Sequence, residues 1–598
     1  VSVHERSPAL RRVAAGPRGA RAAAWRPALE RVAVWALPAV LIGLLTWPMT
    51  LRSDVFGADW GAHLWFVRHQ AQTLLHDHHP SLFVHYDGGV FYPHFAFYGG
   101  TLYALTGLAA AVLGGAGRDG YVLSWLAAFA AGYGGWVWLG RMAGLGRWTA
   151  QAPAALFVTS PYLITSIYTT GDWPELVAVS AIPLLVASAI SVLRADRLLG
   201  LPALALAGST ILFTGSHNIT LLWGTTFLVV LGACLTAGIP QVRRQVTGQG
   251  LLRVAGIVVP ALLINAWFLL PDIAYQAQTM VAARYPTRGY LGGRMDLVGL
   301  GHLVSLHRRS ADGEIPQFVL TLPILAMGWV AVAGGLLARR SWRAPWLRAL
   351  ALLSVLVVAL LVLMTHAGLL LALPKPYVMI QFTYRLESYI LLGVCGGVLA
   401  ANVLLRDAGQ RVRRWTWVLV PVLAASVAGA AAQVGAFTVW PVSGTYDAPS
   451  ISSMGQFTDA TAPEAPPGPR PRIAFPPRLV RGDRLMVTTT LSPGQRADTN
   501  LMVMPALVHV EGARIVGEHT MPPDGSVDRR LAVLQVDRDA APGAARITVR
   551  PGHPLPVVAG EILSLLGGLG LLANFVVLLV RRRRTRIAPR PTGIAQSP

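Results

Sequence analysis

The sequence predicts an α-helical polytopic membrane protein of about 12–13 membrane segments with a small extracytoplasmic β-sandwich-like domain. Three observations carry this. Hydrophobic residues make up 54% of the 598 and charged residues only 13%, a more apolar balance than soluble domains show. Apolar runs of roughly 17 to 25 residues, the length a helix needs to cross a bilayer, recur along the chain. From 440 to 556 the pattern changes to Pro- and Gly-rich punctuation and short alternating runs, the signature of half-buried strands between turns.

The first apolar run, 31–51, follows an Arg-rich segment, 1–30, with no clear small-residue cleavage site. We read a cytoplasmic tail and a retained anchor rather than a cleaved signal. Twelve more runs follow, at 99–116, 121–140, 149–165, 174–193, 200–215, 219–238, 254–271, 318–338, 347–371, 386–405, 415–438 and 557–580. The chain therefore divides into a tail (1–30), a transmembrane core (31–438) with a large outer loop at 52–98, a β-rich domain (439–556), a last membrane helix (557–580) and a basic tail (581–598).

The net charge of +22 is almost entirely arginine, since Lys375 is the single lysine. The arginines cluster in short loops: Arg194/Arg197, Arg243/Arg244/Arg253, Arg339/Arg340/Arg343, Arg411/Arg413/Arg414 and Arg581–Arg584 with Arg586. Short Arg-rich loops mark the cytoplasmic side. They place both termini in the cytoplasm and residues 52–98 and 439–556 outside a bacterial plasma membrane. Dispersal along membrane flanks argues against nucleic acid as a partner. Two cytoplasmic ends require an even number of crossings, whereas thirteen is odd, so one segment between 99 and 148 is expected not to span. The run at 99–116, interrupted by Gly107, Gly114 and Gly115, is the candidate for a partial or re-entrant segment, with a merged long helix as the alternative.

The outer loop carries the chemistry. Between Ser53 and His94 lie four Asp and seven His. In "GADWGAH", Asp59 precedes His63 by four residues, so a helix would put both on one face, able to bind one substrate or one divalent ion. The competing reading is that Asp59 only caps a short interfacial helix, with Trp60, Trp65 and Phe66 as headgroup-level anchors. "HDHHP", His76 to Pro80, reads as a solvated polar turn in preference to a zinc site, because no Cys assists. His85, Tyr92, His94 and Tyr98 combine flat apolar faces with hydrogen-bonding edges and suit a sugar-lining surface.

Three outer junctions join this loop. In "YTTGDWPELVAVSAIPLL", Asp172 and Glu175 stand where a helix enters the membrane, with Pro174 expected at the first helical position and Asp172 near the N-cap; capping and a functional role are both open. "TGSHNIT" supplies His217 and Asn218. "KPYVMIQFTYRLESYILL" supplies Lys375, Arg385 and Glu387, and an Arg just inside a membrane segment is costly unless paired with Glu387 or Glu175 or holding an anion such as phosphate. Cys234 and Cys395 both fall in membrane segments, so no disulfide stabilises the outer domain.

Taken in order, "GADWGAH", "FYPHFAFYGG", "SPYL…YTTGDWPELVAVSAIPLL", "NAWFLLPDIAY" and "IQFTYRLESYILLGV" resemble bacterial polytopic proteins with a 6-pyruvoyl-tetrahydropterin-synthase-related membrane domain. These are similar to YfhO-like membrane proteins and to the GT-C glycosyltransferases that use polyprenyl-phosphate sugars. The resemblance spans most of 31–440, and the Arg-, Ala- and Gly-rich usage looks actinobacterial. It implies a GT-C-like core in which Asp59 acts as catalytic base or metal ligand. The adjacent acidic pair of many such enzymes is missing, which leaves a second acidic role between Asp54, Asp172 and Glu175.

The expected reaction is sugar transfer from a polyprenyl-phosphate donor to an extracytoplasmic cell-envelope glycan or lipid acceptor. Asp59, Glu175 and Asp172 form the expected catalytic group, and His63, His94, Tyr98, His217, Arg385 and Lys375 the expected substrate-binding group. A divalent cation (Mg or Mn) on Asp59 and His63 is the one cofactor considered. Asp59 would deprotonate the acceptor, and Arg385 would stabilise charge developing on the leaving phosphate. A transporter or flippase of a lipid-linked glycan and a non-catalytic envelope scaffold are the competing classes. The first is disfavoured because no internal repeat is evident.

Overall fold

Helix length sorts the apolar segments of the computed structural model. It describes residues 17–284, 344–407, 419–438 and 461–587, apart from 52–55, 57–58, 87–89, 116, 195–199, 381, 466–467, 476–483, 522–528 and 540–544, together with scattered residues between 326 and 336. Among these, seven helices are long and apolar enough to cross a membrane: Val32–Leu51, Gly117–Met142, Trp173–Arg194, Asn218–Gly238, Pro345–Thr365, Thr383–Asp407 and Leu555–Val577. An eighth crossing is formed if Gly248–Leu263 and Ala266–Gln278, bent by 71° at their break, count as one span. The chain is thus a multi-pass membrane protein.

The thirteen expected segments are too many for the described residues, for reasons that can be named. The run at 149–165 is not one helix. It folds as a 3-10 turn (Thr149–Gln151), two short helices (Ala152–Val158 and Pro161–Thr165) and a π-turn (Ser166–Thr170). Pro161 lacks an amide hydrogen and Ser160 before it is extended, at ψ 132°, the break that proline imposes. Because these pieces are covered by protein, their irregular backbone is tolerated at membrane depth. The run at 99–116 is a 13-residue helix, Gly100–Val112, about 20 Å long by helical rise and short of a hydrocarbon core of about 30 Å. Leu201–Ser216 is also short. The run at 254–271 is the bent pair, broken at Asn265. Most of 318–338 lies outside the described residues.

Two helices form the centre. Thr383–Asp407 is 94% buried over its apolar window and Trp173–Arg194 61%, and a helix apolar on every side belongs inside. Trp173–Arg194 packs between Gly117–Met142 and Leu201–Ser216, while Glu387–Asp407 lies against Pro345–Thr365. The last helix runs along both arms of the bent pair. At Gly560 a Cβ would come within 2.5 Å of the Ala266 carbonyl, the close backbone approach that small residues permit between membrane helices.

The outer domain is a sandwich of two sheets. One orders its strands β3-β5-β8-β7 and the other β4-β9-β6, with β3 Arg472–Ile473, β4 Leu485–Thr489, β5 Arg496–Thr499, β6 Val508–Glu511, β7 Ala513–Met521, β8 Arg529–Val536 and β9 Ala545–Pro551. Alternate residues of β9, Ala545, Ile547 and Val549, point inward, as a two-residue period requires. A hairpin in the first loop, β1 Val84–Tyr86 with β2 Val90–Tyr92, joins this core. Phe83, Phe91, Ala96 and Phe97 share one cluster with Leu501, Val503 and Ile547, and the Phe91 amide donates to the Met502 carbonyl at 3.1 Å. Cys234 and Cys395 are free.

Candidate functional site

The outer-junction residues named above are folded together by one turn. The π-turn Ser166–Thr170 ends at Gly171, whose φ is +75°, a conformation costly for any residue with a Cβ. Amides of Gly171 and Asp172 both donate to the Ser166 carbonyl, at 2.8 and 3.1 Å. The Asp59 amide donates to the Thr170 carbonyl at 3.0 Å, so the start of the Trp60–His76 helix is seated on the turn. A Cβ on Gly171 would lie 2.7 Å from the Trp60 nitrogen. Glycine is therefore required here twice, by dihedral and by contact.

Asp59 occupies the N-cap position of Trp60–His76, yet its side chain makes no capping hydrogen bond. Capping therefore does not account for it. Water reaches Asp59, but dense surrounding protein raises its carboxyl to about 7, with Asp172 adding to the rise and Arg385 opposing it. Access to water tempers the burial effect, while the neighbouring Asp172 acts in the same direction. Asp172 is raised as well, by burial first, with Arg385 and the Thr170 hydroxyl opposing.

Arg385 anchors the acids. It sits in the 3-10 turn Thr383–Leu386 ahead of the Glu387–Asp407 helix. Its Nε lies 3.1 Å from Glu175 Oε2 and its Nη2 3.8 Å from Asp172 Oδ1, while Nη1 donates to the Ile380 carbonyl at 3.2 Å. The guanidinium also lies 5.3 Å from the Phe382 ring centroid. Glu175 Oε1 accepts from Tyr162 Oη at 2.5 Å and from Ser388 Oγ at 2.9 Å, and Asp172 Oδ2 accepts from Thr170 Oγ1 at 2.9 Å. Charges this buried persist because they are paired and hydrogen-bonded. Of the two partners weighed for Arg385, the structure selects Glu175 and adds Asp172. Glu387 is fully buried elsewhere, and its carboxylate takes no hydrogen bond among the described residues.

An aromatic wall faces these groups. Tyr98 stacks on His63 at 6.0 Å and meets His94 at 5.5 Å and His217 at 5.3 Å. His63 Nδ1 shares a 2.5 Å hydrogen bond with Tyr103 Oη, and its Nε2 is buried without a hydrogen-bond partner among the described residues. Burial pushes His63 down to about 3 and takes His94 and His217 well below the usual imidazole range. All three rings are neutral at physiological pH. His217 also caps the Asn218–Gly238 helix, while Asn218 turns away to Asp272 Oδ2 at 2.8 Å.

The structure thus brings together Asp59, His63, His94, Tyr98, Asp172, Glu175, His217 and Arg385. Lys375 is exposed at the start of the short helix Lys375–Val378 and forms no ion pair among the described residues. Pro174 takes the second helical position rather than the first, because the helix begins at Trp173. His85 and Tyr92 sit on the hairpin, His85 against His69 at 4.5 Å. "HDHHP" is a turn in which His76, His78 and His79 are exposed. Asp54 lies outside the described residues. Tyr103, Tyr162, Thr170, Tyr384 and Ser388 were not singled out from sequence. Ser388 had a visible signal, a hydroxyl one helical turn after Arg385 in an apolar run.

No family model matches the chain, and no curated protein sequence matches it. Among solved structures, the chain is similar to the arabinofuranosyltransferase AftD from Mycobacteria, with 15% identity and a TM-score of 0.45 over 71% of this chain and 28% of that one. It is also similar to ArnT from Cupriavidus metallidurans bound to undecaprenyl phosphate, with 14% identity and a TM-score of 0.40 over 69% of this chain and 77% of that one. The chain thus spans little more than a quarter of the AftD length. Both TM-scores lie below 0.5.

Proposed function

We propose that this protein is a membrane glycosyltransferase of the GT-C type, moving a sugar from a polyprenyl-phosphate donor to a cell-envelope acceptor on the outer side. The observation that carries the reading is the water-accessible Asp59, raised to about 7, beside the buried Arg385–Glu175–Asp172 group. A carboxylate with this affinity for protons is matched to general-base work near neutral pH. The aromatic and imidazole wall offers flat faces and hydrogen-bonding edges to a sugar, and the orphaned His63 Nε2 is placed to meet a hydroxyl.

In this mechanism Asp59 takes the acceptor hydroxyl proton as the bond from sugar C1 to phosphate oxygen breaks. Arg385 is held in place by its two acids and presents fixed positive charge where the leaving phosphate gains negative charge. Tyr162 and Ser388 hold Glu175, and so fix Arg385. Three carboxylates against one guanidinium leave the chamber an excess of negative charge, which suits a divalent cation. Among the described residues no three His, Cys, Asp or Glu side chains converge on one point; the magnesium or manganese ion expected on Asp59 and His63 would take its other ligands from water and donor phosphate. Such an ion would neutralise phosphate charge.

The test is transfer of labelled sugar from polyprenyl-phosphate donors to envelope acceptors in reconstituted vesicles, comparing the native chain with Asp59→Asn. Transfer by the native chain and its loss in a folded variant support the proposal. Unchanged transfer in the variant overturns the role of Asp59, and donor accumulating on one leaflet without transfer identifies a flippase.

A further inference from the structure

The Trp173–Arg194 helix has a second functional end. Glu175 at its start belongs to the site above, and Arg194 closes the 22-residue helix, roughly 30 Å away by helical rise. At that far end a cavity of about 480 Å³ opens among six helices, within the range of ligand sites. Its deep end is formed by Ile182, Phe227 and Leu392, all buried. Its mouth is formed by Arg194, Gln241 and Gln245. Among the described residues lining it, none is acidic.

The dimensions suit one occupant. From Ile182 to Arg194 the helix rises about 18 Å, close to the hydrocarbon thickness of a single leaflet, which is about half of 30 Å. The walls are aliphatic and aromatic, so a free soluble anion would find only the mouth. Among the described residues the charge at the mouth is positive. Arg194 is oriented by Gln245, whose Oε1 accepts from Nε at 3.0 Å and from Nη2 at 2.7 Å. Arg243 and Arg244 are exposed on the same short helix as Gln241 and Gln245, and Arg348, whose Nη1 donates to the Gly238 carbonyl at 2.8 Å, stands nearby. Trp346, half-buried at the rim, has the amphipathic character of a headgroup-level anchor.

We infer that this cavity is a binding site for an anionic phospholipid of the leaflet opposite the carboxylate site, with one acyl chain between the helices and the phosphate on Arg194. The lipid completes the packing of helices that otherwise leave a void against the bilayer, and the arginine rim selects its headgroup. The inference is independent of the glycosyltransferase reading, because it is tested by binding alone.

The experiment is native mass spectrometry of the full chain released from detergent, titrated with phosphatidylglycerol, with phosphatidylcholine of the same acyl chains, or with inorganic phosphate. One phosphatidylglycerol should be retained in preference to phosphatidylcholine, and inorganic phosphate should not displace it. Arg194→Gln, an exposed change that leaves the core intact, should weaken phosphatidylglycerol about five-fold, the worth of one basic residue at an anionic surface, and leave phosphatidylcholine unchanged. Leu231→Trp, at a half-buried wall position, should lower retention of both lipids. Equal retention of the two lipids by the native chain, or phosphatidylglycerol retention unmoved by both variants, would overturn the inference.

Discussion

Arg385→Met is the most informative single change. It keeps a long unbranched side chain and removes the charge, stranding Glu175 and Asp172, which are only 2% and 4% exposed. Removing one partner of a buried ion pair costs about 3–5 kcal/mol. The hydroxyls of Tyr162, Ser388 and Thr170 remain on the carboxylates and keep them partly solvated, so the lower end of that range, ~3 kcal/mol, is expected at pH 8. Protonation neutralises a stranded acid, so the loss should be smaller at pH 5. Arg385→Met combined with Glu175→Gln removes the closer ion pair and leaves only Asp172 stranded, and should recover about 1–2 kcal/mol, because a neutral replacement of a buried pair is tolerated far better than half of it. Unfolding by SDS in mixed micelles, followed by tryptophan fluorescence, measures the native chain, Arg385→Met, Glu175→Gln and the double variant. A single variant as stable as the native protein, or a coupling below about 0.5 kcal/mol in the cycle, would refute the account of Arg385 as the paired centre of the site.

Further outcomes follow from the same geometry. Transfer activity should rise with pH through about 7, because Asp59 must lose its proton to act, and a profile flat from pH 5 to 8 would exclude it as the base. Its raised folded value means that the native state binds the proton more tightly than the unfolded chain; stability should fall as pH rises from about 4 through about 7, and Asp59→Asn should stabilise more at pH 8 than at pH 5. Gly171→Ala should cost about 1–2 kcal/mol from the left-handed backbone alone and displace Asp59 enough to lower transfer roughly 100-fold, while lipid retention at Arg194 stays unchanged. Chelation with EDTA should abolish transfer and added magnesium restore it; EDTA-resistant transfer would remove the cation from the scheme. Phe91→Ala should cost about 3–5 kcal/mol in the shared outer core and expose the β1–β2 hairpin to protease, whereas unchanged protection would show that the hairpin is held by other contacts.

Much of the fold is legible because hydropathy reads directly as membrane helix and alternation as strand. The long runs at 31–51, 174–193 and 386–405 are of this kind. The run at 149–165 misled for a physical reason: its residues are apolar because protein covers them, and apolarity alone does not distinguish a lipid-crossing helix from a covered, proline-broken one. Strands β4, β6, β8 and β9 carry alternating apolar residues, whereas β7, with "RIVGEHTM" and a register shift between Ile515 and Gly517, blurs that signal. At the site, Asp59, Asp172, Glu175 and Arg385 were visible as charges out of place beside apolar runs. Their mutual distances were not, because they depend on the left-handed Gly171 and on a π-turn that no periodicity announces. Tyr103 and Tyr162 looked like ordinary apolar-face aromatics until their hydroxyls found His63 and Glu175.

The seating of Asp59 on the Thr170 carbonyl has a consequence for biogenesis. The acid emerges from the ribosome with the first loop, its seat more than a hundred residues later, and Arg385 after most of the remaining helices have been made. Chains of this size assemble in stages as they are synthesised, and here the stages are ordered by sequence. A nascent protein that has threaded its early helices holds an acid without a neighbour to tune it and no guanidinium to gather the others. The acids and the guanidinium therefore stay apart until nearly the whole bundle has closed, and the site is completed only at the end of insertion.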